Sequence, residues 1–350
     1  MRALVTGATG FVGSALCRRL KANGHEVTAF VRSPGKLAER GIAVDHMVEG
    51  EITDRKAVEQ AVRGAEVVFG VAATFREPQL SDERYRAVNV GGTRNLLEAA
   101  RRHGARRVVH CSTVGIHGNV SGPPIDEEAP LRPDGIYEAT KAEADQLARR
   151  YAQEHGLDVV VLRPTPIYGP GDTRLLKLFK LAGKRRLLML GKGSARYHLV
   201  HVDDLAQAFL LAASRQGIAG QAFIVGGDEK PTLLELIHEL GVALGVNQQQ
   251  VFRLPALPVR LLAHGCELVA RPLGISPPIY RRRVDFFTNN RDYDISKARR
   301  MLAFRPRVAL RDGIRETAAW YERQGLLRRS PEARAAAAAW FGFLAGLPIA

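Results

Sequence analysis

The sequence predicts an α/β fold: a doubly wound parallel sheet followed by a smaller, mostly helical C-terminal domain. Three observations carry this expectation. Short apolar runs alternate with helix-like stretches through the first half, the rhythm of an open parallel sheet with helices on both faces. A turn with three spaced glycines, Gly7, Gly10 and Gly13, joins the first run to the first helical stretch. The rhythm breaks after Tyr168, where Pro164, Pro166, Gly169, Pro170 and Gly171 crowd one connection.

In chain order, strand signals fall at Arg2–Thr6, Glu26–Val31, residues 42–48, residues 67–71, Arg107–Cys111 and residues 159–163. Two of them are near-continuous apolar runs, which suits strands buried on both faces. Helical stretches such as residues 14–23 and 90–103 lie between them. Gly24, Gly64, Gly104 and Gly156 each follow a helical run, where a left-handed stop needs no Cβ. Two later strand signals, residues 197–202 and Ala222–Val225, return to the sheet. The sheet unit therefore spans 1–173, with 198–228 returning to it; residues 174–197 and 229–330 make the second unit, and 331–350 an apolar, alanine-rich tail.

Of the 350 residues 46% are apolar, which excludes a disordered or collagen-like chain. Three scattered cysteines, Cys17, Cys111 and Cys266, give neither a disulfide framework nor a four-thiolate zinc site. No basic segment precedes the first strand signal, so a cytoplasmic chain without a secretory leader is expected. The net charge of +15 is uneven: residues 251–330 carry 17 basic and 7 acidic side chains, a net of +10. Such a field draws phosphorylated ligands, an anionic membrane or nucleic acid. No helix-turn-helix pattern or aromatic-interleaved basic platform favours nucleic acid.

The glycine turn is the first chemical signal. Its positions serve unusual backbone angles, close approach to a pyrophosphate and tight packing of helix on strand. The helix start then offers N–H groups and a positive dipole end to phosphates. At the end of the second strand signal, Val31 and Arg32 stand where a cofactor with a free ribose 2′-hydroxyl usually meets a carboxylate. A guanidinium pairs instead with a 2′-phosphate, and Lys36 is placed to assist, so NADP is expected over NAD.

Tyr137 and Lys141 form a Tyr-x-x-x-Lys unit at the head of a helix, on one face at i and i+4. A phenol is a poor base at neutral pH, and a nearby ammonium stabilises its ionised form. Tyr293 and Lys297 repeat the spacing outside the sheet rhythm and are read as structural. Ser112 and Thr113, at a strand's carboxyl end, each offer a hydroxyl to a reacting oxygen. His198, His201 and Asp203 are read as a strand end and turn rather than a metal site, and Arg281–Arg283 as a solvated face.

These pieces resemble the extended short-chain dehydrogenase/reductase superfamily over roughly residues 1–325. The matching strings are TGATGFVG, NVGGTRNLLEAA, VVHCSTVGIHG, YEATK, LRPTPIYGPGD, HLVHVDD and YDISKARRMLAF. The resemblance implies a Rossmann domain and a nicotinamide cofactor held by Gly7, Gly10, Phe11, Val12 and Gly13. Glu51 and Ile52 fall at the family's adenine position, with Glu for the usual Asp. Ala72 corresponds to a cofactor-lining residue, and Pro164 to one beside the nicotinamide. Thr113, Tyr137 and Lys141 correspond to the catalytic Ser/Thr, the proton donor and its partner.

Departures narrow the expectation. Val114 and Gly115 replace the Asp-Glu pair of 4,6-dehydratases, and Tyr197 stands at the diphosphate-gripping Arg of many epimerases, with Arg196 one residue earlier. Val31 and Arg32 resemble the dihydroflavonol reductase branch, and the late domain resembles bacterial relatives of 3β-hydroxysteroid dehydrogenases. The expected protein is an NAD(P)-dependent oxidoreductase acting on a secondary alcohol or ketone, with Tyr137 as general acid/base. The alternatives are a sugar-nucleotide epimerase with tightly bound NAD and a non-catalytic NADP-binding regulator. A homodimer through the segments beginning near Asn89 and Tyr137 follows from the resemblance. The uncharged stretch 335–350 is too short to span a bilayer and is a candidate for peripheral membrane contact.

Overall fold

The computed structural model describes residues 1–327 apart from 76, 78, 120, 121, 123 and 271–280, and leaves out the side chains at 268–270, 281–283 and 286. The tail at 331–350 and the side chains of Arg281–Arg283 therefore lie outside the described residues.

The chain begins β1 (Arg2–Thr6), α1 (Phe11–Ala22), β2 (Glu26–Val31), α2 (Gly35–Glu39), β3 (His46–Glu49), α3 (Arg55–Val62) and β4 (Val67–Gly70). It continues through α4 (Asp82–Arg86), α5 (Gly92–Arg102), β5 (Arg107–Cys111), α6 (Ile136–His155) and β6 (Val159–Pro164). Then come β7 (Ile167–Tyr168), α7 (Leu176–Ala182), β8 (Arg186–Leu190), β9 (Val200–His201), α8 (Val202–Ser214) and β10 (Ala222–Val225). The last elements are α9 (Leu233–Ala243), β11 (Gln250–Leu254), α10 (Ala256–Ala270), α11 (Arg281–Thr288) and α12 (Leu310–Arg323).

Seven strands form one parallel sheet in the order β10-β6-β5-β4-β1-β2-β3. β4, β5, β6 and β10 are buried throughout, as their apolar runs require. One face packs on α1 and α8 through Leu16, Leu20, Leu205 and Phe209. The other packs on α3, α5 and α6 through Val58, Leu96, Leu97 and Leu147. A third apolar cluster joins α7, β8, α9 and α12 through Phe179, Met189, Leu240 and Tyr321. The strand order reverses between β1 and β4, which opens a crevice at their carboxyl ends.

The strand expected at 42–48 begins only at His46. Gly41 turns at φ +59°, and the N–H of Ile42 bonds back to the Leu37 carbonyl. Ile42 is apolar because it plugs the core beside Leu37, not because it lies in the sheet. The strand expected at 197–202 shrinks to Val200–His201, and it pairs with β7 rather than the main sheet. The N–H groups of Tyr197 and His198 go instead to the carbonyls of Pro231 and Arg291. The parallel pair β8–β11 was not expected from the sequence.

Candidate active site

The glycine turn is held by its neighbours. The Thr6 hydroxyl accepts from the N–H groups of Val71 (3.0 Å) and Ala72 (3.1 Å), which draws the end of β4 against the end of β1. Gly7 turns at φ +68°, and a Cβ there would stand 2.9 Å from the Ala72 Cα. A Cβ on Gly13 would stand 2.2 Å from the Gly7 carbonyl oxygen. Gly10 caps α1 without a side-chain hydrogen bond. The backbone thus forms a cradle at a helix N-terminus with no side chain inside it, and a pyrophosphate fits there.

That cradle opens into a crevice of about 1480 Å³. Its walls include Gly7, Gly10, Phe11, Val12, Gly13, Arg32, Glu51, Ile52, Ala72, Thr113, Tyr137, Lys141 and Pro164. Of the catalytic and cofactor-binding residues expected from the sequence, Lys36 alone is not in the lining; it stands exposed on α2. Arg32 is exposed at the rim. Glu51 accepts from Arg84 at 2.7 Å, and this bond holds its carboxyl below the usual range despite some desolvation.

At the other end α6 presents Tyr137 and Lys141 one turn apart. Lys141 is 3% exposed, and its ammonium donates to the Cys111 carbonyl at the end of β5. Burial pushes its pKa down, while Cys111 and Asp145 act in the opposite direction. Asp145 is itself buried and pairs with Arg163 through two bonds of 2.8 and 2.9 Å. Burial alone would raise that carboxyl's pKa; the Arg163 bonds and charge outweigh it and hold it low. Thr113 accepts from the Gly115 N–H at 3.1 Å, capping the 3-10 turn Val114–His117.

Several residues of the site were not foreseen. Asn89 sits in a π-turn, Ala87–Gly91, between α4 and α5. The Phe75 ring packs edge-on against Tyr137 with centroids 4.6 Å apart. The Arg174 guanidinium lies 5.3 Å from the Phe11 ring centre and 5.9 Å from that of Phe75. Arg174 is steered by Asp172 at 2.6 Å and by the Ile167 carbonyl at 2.9 Å. Arg174 lies two residues past the end of the LRPTPIYGPGD string, so its proximity to the crevice had a sequence signal; Phe75 had none. Leu175, Leu178, Tyr197, Phe287, Asn289 and Arg291 complete the far wall.

The second Tyr-x-x-x-Lys unit separates in space. Tyr293 is buried in the crevice wall, but Lys297 lies over the Phe223 ring at 5.4 Å, away from that lining. Arg196 donates to the Lys230 carbonyl, whereas its neighbour Tyr197 lines the crevice. His198 bonds the Gly227 carbonyl and His201 lies near Glu316; among the described residues no cluster of three or more ligating side chains is poised for a metal.

A doubly wound sheet with a phosphate cradle and a half-buried Tyr137 one turn from the buried Lys141, sharing one crevice, defines a dinucleotide-dependent enzyme. The chain belongs to the NAD dependent epimerase/dehydratase family, whose profile matches residues 3–226, and so to the extended short-chain dehydrogenase/reductase superfamily. It is 33% identical to a 2-alkyl-3-oxoalkanoate reductase of Stenotrophomonas maltophilia, covering 90% of this chain and 98% of the relative. It is 32% identical to a dTDP-glucose 4,6-dehydratase of Streptomyces niveus, covering 92% and 93%. Its fold is similar to the NAD-bound crystal structure of the dTDP-glucose 4,6-dehydratase DesIV of Streptomyces venezuelae, with a TM-score of 0.72, 28% identity and coverage of 92% and 97%. The family is one of nicotinamide-dependent oxidoreductases, epimerases and dehydratases, and among the described residues no helix is long and apolar enough to cross a membrane.

Proposed function

We propose that the chain is an NADP-dependent oxidoreductase that interconverts a ketone and a secondary alcohol, with Tyr137 as the proton donor and acceptor. The observation that carries this reading is the convergence of Thr113, Tyr137, Lys141 and the glycine cradle on one crevice. Gly7, Gly10, Phe11, Val12 and Gly13 would hold the pyrophosphate, Ile52 and Ala72 the adenosine half, and Pro164 and Lys141 the nicotinamide half. When bound, the cofactor supplies or accepts a hydride. The protein's groups handle the oxygen. Thr113 accepts from the Gly115 N–H, which fixes its hydroxyl oxygen and leaves the O–H to donate to the carbonyl oxygen. Tyr137 gives that oxygen its proton, and the Lys141 charge stabilises the phenolate left behind.

Arg32 supports the phosphorylated cofactor, because Glu51, a carboxylate at that end, is already engaged by Arg84. Lys36, outside the lining, adds positive charge at longer range. A ketone substrate is supported by likeness to the alkanoate reductase. Dehydration is disfavoured by Val114 and Gly115 after Thr113, and diphosphate gripping by Tyr197 in the wall. A cytoplasmic homodimer formed through α5 and α6 completes the reading.

The test is Tyr137→Phe in the full chain, followed by NADPH consumption with a panel of aliphatic and cyclic ketones. Turnover falls by about 10²–10⁴ while NADPH binding, read by its fluorescence, is retained. Undiminished turnover overturns the assignment. Release of NAD on denaturing the purified protein, with no NADPH consumption, points to the epimerase instead. Cofactor binding without hydride exchange on any ketone points to a regulator.

A further inference from the structure

The β8–β11 pair carries large apolar side chains on both faces. Leu187 and Met189 face inward and are buried beside Leu236 and Leu240. On the outer face Leu188 stands in register with Phe252, and Leu190 with Leu254. Leu188 is 58% exposed and Phe252 55%. β11 leads within two residues into α10, where Ala263 is buried but Leu257 and Leu261, one turn apart, are 68% and 64% exposed. The two surfaces adjoin, since a Cβ at Gly191 after β8 would lie 3.7 Å from Ala256. A contiguous apolar patch of this kind marks an interaction site.

Charge identifies the partner. β8 with the loop before it, β11 and α10 carry Lys184, Arg185, Arg186, Arg253 and Arg260, all exposed, against a single acidic residue, the half-buried Glu267 near the end of α10. A second copy meeting this face symmetrically would set those cations against their own equivalents. Nucleic acid would engage the arginines and leave the leucines in water. An anionic bilayer takes both, the apolar side chains below the headgroups and the cations among them. We propose that α10 and the outer face of β8–β11 form a peripheral docking surface for anionic phospholipid. α10 packs on α11, which with the residues after it brings Phe287, Asn289 and Arg291 to the crevice wall. The docking face and the substrate end of the crevice thus belong to one packed unit. This holds whatever reaction Tyr137 performs.

The experiment is flotation of the full-length protein with phosphatidylcholine–phosphatidylglycerol vesicles and with phosphatidylcholine vesicles. The protein floats with the mixed vesicles and about tenfold less with the neutral ones. Leu257→Glu with Leu261→Glu lowers binding to the mixed vesicles about tenfold or more, with unchanged Tm, because both side chains are exposed. Should that pair misfold, Leu257→Ser with Leu261→Ser gives the same readout. Trp340→Glu with Phe343→Glu, in the tail, leaves binding in place. Unchanged flotation of the leucine variant, or loss only in the tail variant, overturns the proposal. So does a dimer that dissociates in the leucine variant without vesicle binding, or duplex DNA binding in place of vesicle binding.

Discussion

The side-chain amide of Asn89 donates to the Thr140 hydroxyl at 2.9 Å, joining the helical turn after α4 to α6, the helix that carries Tyr137 and Lys141. Its oxygen meanwhile accepts from the Thr74 N–H at 2.8 Å, and its nitrogen reaches the Thr74 carbonyl at 3.3 Å. One buried amide therefore ties the loop after β4, which carries Phe75, to the turn of α6 that carries Tyr137.

Asn89→Ala leaves the Thr74 N–H buried without its acceptor. Stability falls by about 1–3 kcal/mol, read as a lower urea midpoint. Because Phe75 is released from Tyr137, kcat falls more than the affinity for NADPH. Asn89→Asp keeps the acceptor but loses both donors and sets a buried carboxylate against the Thr74 carbonyl, so it does not recover the stability.

Arg32→Ala tests the choice of cofactor. A charge-assisted bond to a phosphate contributes about 1.5–3 kcal/mol, so KM for NADPH rises roughly tenfold to a hundredfold while KM for NADH changes little. Equal effects on the two cofactors would assign Arg32 to the solvated surface.

Asp145→Asn breaks a fully buried ion pair and strands the Arg163 charge. The expected loss is about 3–5 kcal/mol in chemical denaturation. Replacing both partners, Asp145→Leu with Arg163→Met, is expected to restore part of it: the Arg163 charge is no longer stranded, but Lys141 loses the carboxylate that offsets its burial.

Burial pushes the His198 imidazole down to about 4 and His110 down to about 3. Unfolded, both titrate near 6.5. Below that value the unfolded chain binds protons that the folded chain refuses, so stability drops as pH falls from about 6.5 toward 4. Each group contributes at most about 1.4 kcal/mol per pH unit. The urea midpoint is therefore lower at pH 5 than at pH 7, and His198→Gln flattens that slope.

Features written into contiguous residues were legible in advance. The glycine turn, the Tyr137–Lys141 spacing and the buried strands depend on local pattern, and all fall where the chain order puts them. Ile42 misled because an apolar residue that plugs a core reads like one in a strand. Tyr293 repeats the Tyr137 spacing, yet Lys297 ends on the Phe223 ring, so spacing alone did not say where the pair would be used. β8 and β11 escaped notice because their outer faces are apolar too, which erases the alternation of a half-exposed strand. Phe75 and Arg174 meet Tyr137 and Phe11 only through tertiary folding.

The π-turn at Ala87–Gly91 holds one residue more than an α-helix would place there. Deleting a single residue from it would let α4 and α5 run on as uninterrupted helix, a gain in local regularity. The same deletion would swing everything on one side by about 100° relative to the other. The extra residue thus acts as a phase setting, trading helical perfection for the angle at which an inward amide meets its partners. Chain length across this stretch is accordingly harder to change than the identity of most side chains within it.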